Sequence, residues 1–170
     1  MTRTGWQTPW VRIVTTVLTI AVMVMIFCFS MENAEQSDHR SGVITMIFMN
    51  VIHPEYDKLD VSRQKELYDK VQLVIRKSAH FSEYTLLGFM IRLCLESWFG
   101  HRMRKKRTLA FSGFVGGTLY AITDELHQLL IDGRSGQWTD VLVDSSGVLL
   151  GAALGTLLIS LTARKQNDGE

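Results

Sequence analysis

The sequence predicts an all-α, polytopic membrane bundle: four transmembrane helices, with an extracytoplasmic helical segment between the first and the second. Three observations predict it. Residues 13–31 carry no charge. Three later apolar runs each approach the ~20 residues a helix needs to cross hydrocarbon. Lysine and arginine are concentrated in one short loop, as in cytoplasmic loops of membrane proteins. The chain has 170 residues and a formal charge of +1, about one domain by length. Its basic residues are bunched rather than spread over a face with interleaved aromatics, so nucleic-acid binding is not expected.

The first span covers about 11–31. Arg3 and Arg12 precede its uncharged run, 13–31, as in a signal peptide, but that apolar core is longer than the ~7–15 residues of such a segment and FCFSMENA offers no small-x-small cleavage site. The second covers about 78–99, the third 108–130 and the fourth 140–161. Between the second and third lies HRMRKKR, with five Lys/Arg in seven residues; the loop joining the third to the fourth, IDGRSGQWT, has Arg134 alone. The basic loop is therefore expected in the cytoplasm, and with four spans both termini as well, where Arg3, Arg12, Arg164 and Lys165 fit the rule.

Residues 32–77 then lie outside the membrane, with seven basic and eight acidic residues. Within this segment GVITMIFMN and the stretch Leu59–Ile75 are expected as two amphipathic helices, either interfacial or solvated, separated by Pro54. Cys28 and Cys94 lie in separate apolar runs without metal-site or CxxC spacing and are expected to be packing residues.

This orientation gathers the scattered polar residues at one depth. Lys77, His80 and Tyr84 share a helical face by i, i+3, i+7 spacing, with Glu83 nearby. Asp124, Glu125, His127 and Gln128 end the third span. Asp140 and Asp144 stack at the start of the fourth, and Arg134 lies between. At a rise of about 1.5 Å per residue these groups fall within roughly 10 Å of the same boundary. Snorkelling to headgroups accounts for Lys77, Asp132 and His127; the deeper acids need partners, and Arg134, Lys77 and His80 are available. Arg92 and Glu96, four apart near the other end of the second span, suit a structural ion pair. Gly147, Gly151 and Gly155, with Gly113 and Gly117, suit close helix packing.

These residues resemble the VanZ-like family of bacterial membrane proteins, related to a teicoplanin-resistance protein. The motifs are K-x2-HF-x2-Y-x2-LG from Lys77 to Gly88, DE-x2-Q at Asp124, Glu125 and Gln128, GR-x5-D at Gly133, Arg134 and Asp140, and G-x3-G at Gly147 and Gly151. Four in order, covering about residues 76–155, make the resemblance fairly specific. The family pattern often has Asn where this chain has Asp144, which adds a carboxylate. The resemblance implies a single multi-pass domain over 1–170 in the bacterial cell membrane, linked to envelope properties or glycopeptide response, and supplies no reaction.

Two chemistries suit the layer. As a binding module it would hold a lipid head group, a wall precursor or glycopeptide-related target, or another membrane protein, through Lys77, His80, Tyr84, Asp124, Glu125, Gln128, Arg134, Asp140 and Asp144, with Asp124 and Glu125 closing an ion-pair and hydrogen-bond network to Arg134 and His80. As an enzyme it would use His80, Asp124 and Glu125 on an outer-leaflet lipid phosphate or lipid-linked precursor. DELHQ shares the spacing of HExxH zinc peptidases but replaces both histidines, which disfavours zinc. An oxygen-rich Mg²⁺, Mn²⁺ or Ca²⁺ site from Asp124, Glu125, Asp140 and Asp144 is the chemically better divalent-metal candidate. The binding reading gives each residue a role without a cofactor.

Overall fold

The computed structural model describes residues 5–102, 106–134 and 136–167. Of the residues used to argue orientation, Arg3, Arg104, Lys105 and the Lys165 side chain lie outside that description. Five helices form the described chain: α1 Pro9–Ser30, α2 Ala34–Ile52, α3 Val61–Phe99, α4 Lys106–Gln128 and α5 Trp138–Asn167. No strand occurs among the described residues.

Local chemistry sets the helix starts. Thr8 caps α1 by accepting from the Val11 N–H at 3.4 Å, and Pro9 follows where a missing N–H costs nothing. Asn33 and Gln36 form a reciprocal capping box on α2, at 2.9 and 3.2 Å. Asp60 caps α3 by accepting from the Arg63 N–H at 3.0 Å. From there α3 runs for 39 residues without interruption, about 58 Å at the helical rise. The amphipathic stretch expected over 59–75 and the span expected over 78–99 are therefore one helix. Nothing between Asp60 and Gly88 breaks the hydrogen-bond ladder, and the change from charged to apolar composition near Lys77 marks a change of surroundings rather than an end.

α3 is the central helix and packs on all four others, most extensively on α5. The glycine ridge of α5 makes this close. A Cβ at Gly147 would lie 2.5 Å from the Phe81 carbonyl oxygen, and one at Gly151 would overlap the Thr85 carbonyl. In α4, a Cβ at Gly117 would reach Val148 at 2.6 Å. The expected small-residue contact thus joins helices within one chain.

The interior mixes a small apolar cluster, including Val22, Ile26, Tyr84, Leu87, Ala121 and Val148, with buried Arg92, Glu96, Asp124, Glu125, Gln128 and Asp144. Large apolar side chains point outward instead, among them Ile13, Val17 and Ile20 on α1, Phe111 and Leu119 on α4, and Leu149 and Leu157 on α5. Cys28 is exposed on α1 and so is not the packing residue expected; Cys94 is partly buried, 3.6 Å from the Thr16 hydroxyl. Among the described residues two helical segments, Pro9–Ser30 and Trp138–Arg164, are long and apolar enough to cross a membrane. Of the four expected spans, α3 and α4 fall short because they carry the polar layer, and in α4 because glycine and threonine dilute the apolar run.

Candidate functional site

The polar residues converge at the end of the bundle that holds the turn between α4 and α5. Gly133 makes that turn, with φ of 75°, a conformation that costs glycine little and other residues more. α3 supplies Lys77, His80, Glu83 and Tyr84; α4 supplies Asp124, Glu125 and Gln128; α5 supplies Asp140 and Asp144.

Their partners differ in part from expectation. Lys77 Nζ pairs with Asp140 Oδ1, so this lysine is engaged by α5 rather than free to snorkel. His127 packs its ring 4.9 Å from that of Phe27, with Nδ1 3.4 Å from the Ser30 hydroxyl. Gln128 Nε2 donates to Asp124 Oδ2 at 3.1 Å, one turn away on the same helix. The Gln137 backbone N–H donates to Glu125 Oε2 at 3.0 Å and ties the turn to α4. Arg134 donates from Nη2 to Ser37 Oγ of α2 at 3.0 Å. The expected direct network from Asp124 and Glu125 to Arg134 and His80 is therefore not formed. The turn at Gly133 carries the guanidinium to α2, while the carboxylates find donors nearer in sequence.

Asp144 is fully buried. Its Oδ1 lies 3.7 Å from His80 Nδ1, longer than a hydrogen bond, and neither carboxylate oxygen has a hydrogen-bond partner among the described residues. Glu125 Oε1 and Arg134 Nη1 are likewise buried without one. Buried polar groups of this kind are rare in folded proteins and concentrate where a ligand, a proton or water completes the site.

A cavity of about 250 Å³ brings His80, Glu83, Asp124 and Arg134 together. Its remaining polar wall was not anticipated: Ser30 of α1, Ser37, Arg40 and Ser41 of α2, and Arg76 of α3. Ile26, Phe29, Ile44 and Ile75 form its apolar side. A smaller cavity of about 50 Å³ lies against Lys77, Gln137 and Asp140, and His80 and Arg76 line both. Tyr84 is buried beneath them, its ring 6.3 Å from that of Tyr120. Glu125, Gln128, Asp144 and Tyr84 are buried and line neither cavity.

The α2 wall had a signal in the sequence. Ser37, Ser41 and Thr45 recur every fourth residue, and all three are buried. Arg40 pairs with Glu32 at 2.9 Å and lies 4.1 Å from the centre of the Phe29 ring; Arg76 is 3.7 Å from Asp38. Three arginines thus edge one cavity. Burial, and then the charge of Arg76, lower the Arg134 pKa from the ordinary arginine value, against the pull of Asp124. An anion among them would relieve that repulsion.

Among the described residues no three His, Cys, Asp or Glu side chains are grouped as metal ligands. The four acids of the candidate oxygen-rich site are not grouped: Asp124 accepts from Gln128, Glu125 from the Gln137 N–H, Asp140 pairs with Lys77, and Asp144 lies apart from them beside His80.

The opposite end is tied by the expected ion pair. Arg92 Nη1 donates to Glu96 Oε2 at 3.0 Å, and its Nε donates to Thr156 Oγ1 at 3.0 Å. Nearby, Arg12 donates to the Ser97 carbonyl at 3.0 Å, and Trp6 Nε1 to Thr162 Oγ1 at 2.8 Å.

No curated protein and no solved structure matches the chain. The family model described as VanZ/LLP1 matches residues 15–159, from the first turns of α1 to the last part of α5. The motifs at Lys77–Gly88, Asp124–Gln128 and Gly133–Asp140 lie inside that range and at the described site, and the chain belongs to the VanZ/LLP1 family.

Proposed function

We propose that this protein is a four-span bacterial cell-membrane protein that binds a phosphate-bearing envelope lipid at its extracytoplasmic face. The observation that carries the reading is the cavity edged by Arg40, Arg76 and Arg134, which adjoins an apolar groove. That groove, about 500 Å³ between α2 and α3, is lined by Phe48, Val71 and Val74, and shares Ile44, Ile75 and Ala79 with the cavity. Arginine favours phosphate because its planar fork offers paired, charge-assisted donors. Serine hydroxyls add further donors, and the groove suits a hydrocarbon chain. A lipid-linked wall precursor is one such ligand, and through it the protein would influence glycopeptide susceptibility.

Arg134→Ala should weaken equilibrium binding of dodecyl phosphate to the full chain in nanodiscs by about tenfold or more, the weight of a hydrogen bond to a charged group. Arg40→Ala and Arg76→Ala should weaken it less, since each guanidinium already has a carboxylate partner. Unchanged binding in all three variants would remove the basis of the reading.

The outward aliphatic surface of α1, α4 and α5 and the buried charged interior support embedding in lipid, where unpartnered charge is costly. With the basic loop near Arg102 inside, both termini are cytoplasmic and residues 32–77 are outside. In a background with Cys28 and Cys94 replaced by serine, Asp57→Cys should react with a membrane-impermeant maleimide on intact cells. Arg102→Cys should react only after permeabilisation; the reverse pattern would invert the orientation.

A further inference from the structure

We propose that the cavity is also a phosphotransfer site, in which His80 takes the phosphoryl group of a lipid phosphomonoester and passes it to water. This rests on the phosphate-lipid reading above and adds a reaction to it. Three features of the site carry it. First, His80 is the imidazole that lines the cavity beside the arginines, and a neutral imidazole is a competent phosphoryl acceptor. Second, the buried Asp144 side chain lies 3.7 Å behind His80 Nδ1 and has no hydrogen-bond partner among the described residues. Once it closes to hydrogen-bond distance, the ionised carboxylate in that position selects the tautomer with the proton on Nδ1, leaves Nε2 as the free nucleophile, and stabilises the positive ring that forms on attack. This is how an acid orients a histidine in other nucleophile–orienter pairs. The separation is loose, as such contacts often are before substrate binds. Third, Glu83 stands one turn from His80 on α3 and lines the same cavity.

The step balances without a further reactant except water. Nε2 of His80 bonds to phosphorus while the bond from phosphorus to the lipid oxygen breaks, and that oxygen leaves as an alcohol with the proton of the Glu83 carboxyl. Water then attacks phosphorus, the P–N bond breaks and returns its electron pair to Nε2, and the water's proton goes to Glu83. The products are a lipid alcohol and inorganic phosphate. Arg134, with Arg40 and Arg76, neutralises the charge on the equatorial oxygens.

The test uses the full chain in nanodiscs with dodecyl phosphate in ¹⁸O-water, and dodecylphosphonate as a ligand that binds but has no leaving oxygen. Wild-type protein should release phosphate that carries the ¹⁸O, with none in dodecanol, and alkaline quenching should trap an acid-labile phosphoryl-protein. His80→Asn should lose turnover by at least about a thousandfold, as loss of a nucleophile does, and lose far less affinity for dodecylphosphonate, about tenfold at most for one contact to the head group. Asp144→Asn, at a positioning residue, should lower kcat with little change in KM. Glu83→Gln should slow both steps with dodecyl phosphate, whereas with p-nitrophenyl phosphate it should still release a burst of about one equivalent of p-nitrophenolate, whose departure needs no proton, and slow only the turnover that follows. Wild-type protein that binds the phosphonate yet releases no phosphate would overturn the inference and leave the binding reading standing, as would unchanged turnover in His80→Asn. Failure to bind either dodecyl compound would overturn both.

Discussion

Gly151→Ala should destabilise the bundle by about 3 kcal/mol or more, the upper range for overpacking a core, whereas Gly116→Ala should leave it as stable or slightly more so. The two substitutions add the same methyl group to a helix. At Gly151 it would overlap the carbonyl oxygen of Thr85 and approach the Phe89 nitrogen at 2.6 Å, both backbone atoms of α3 that no rotamer change can move. At Gly116 nothing lies within 4 Å. Alanine there gains about 0.5–1 kcal/mol from helix propensity, because the unfolded chain has less freedom to lose. Thermal unfolding of the purified variants in one detergent, followed by intrinsic tryptophan fluorescence, reads the difference. Equal melting temperatures would mean that α3 and α5 do not meet along this ridge. The consequence reaches the polar site, because the same contact sets the register that places Asp140 beside Lys77 and Asp144 behind His80.

That register was legible in the sequence to a useful depth. The i, i+3, i+7 spacing of Lys77, His80 and Tyr84 and the i, i+4 spacing of Asp140 and Asp144 put the right faces of α3 and α5 together, and the Gly147–Gly151–Gly155 repeat named the contact surface. Helical periodicity carries such information because it is local. What it does not carry is the path of the chain between helices. The Gly133 turn swings Arg134 to Ser37, 97 residues away in sequence, so the expected pairing of Arg134 with the α4 carboxylates could not have been corrected from spacing alone. In the sequence Arg40 and Arg76 fall in the mixed-charge segment 32–77, where no spacing assigns them to a site. Their place at the cavity follows from α2 folding back along α3, a tertiary fact. The uninterrupted α3 is different: no Pro or Gly stands from Val61 to Leu87, so its continuity is present in the sequence, and the composition change at Lys77 marks a change of surroundings only.

Arg92→Leu alone should lower stability by about 3–5 kcal/mol, and so should Glu96→Leu alone, while the double substitution should recover most of the loss. The reason lies in how the pair is buried. Arg92 is 0% exposed and Glu96 5%, so removing either partner leaves a charge in the interior with no compensation. The guanidinium also packs its stem on Gly155, whose added Cβ would sit 3.0 Å from Arg92 Cγ, so leucine retains part of the apolar contact. Thr156 is not orphaned by the change, because its hydroxyl still donates to the Ala152 carbonyl at 2.8 Å. With both charges gone the site becomes an ordinary apolar layer between α3 and α5, and two leucines roughly fill it. Melting temperatures of the two single variants and the double variant complete a cycle whose coupling term isolates the pair. If the double variant is no more stable than the singles, the pair contributes something that apolar packing cannot replace, such as the choice of one register between α3 and α5. If the singles melt with wild type, water reaches this end of the bundle and the pair is not buried as described. The same cycle separates the two ends of the protein: the Arg92–Glu96 pair should change stability without changing dodecyl phosphate binding, and Arg134→Ala should do the reverse.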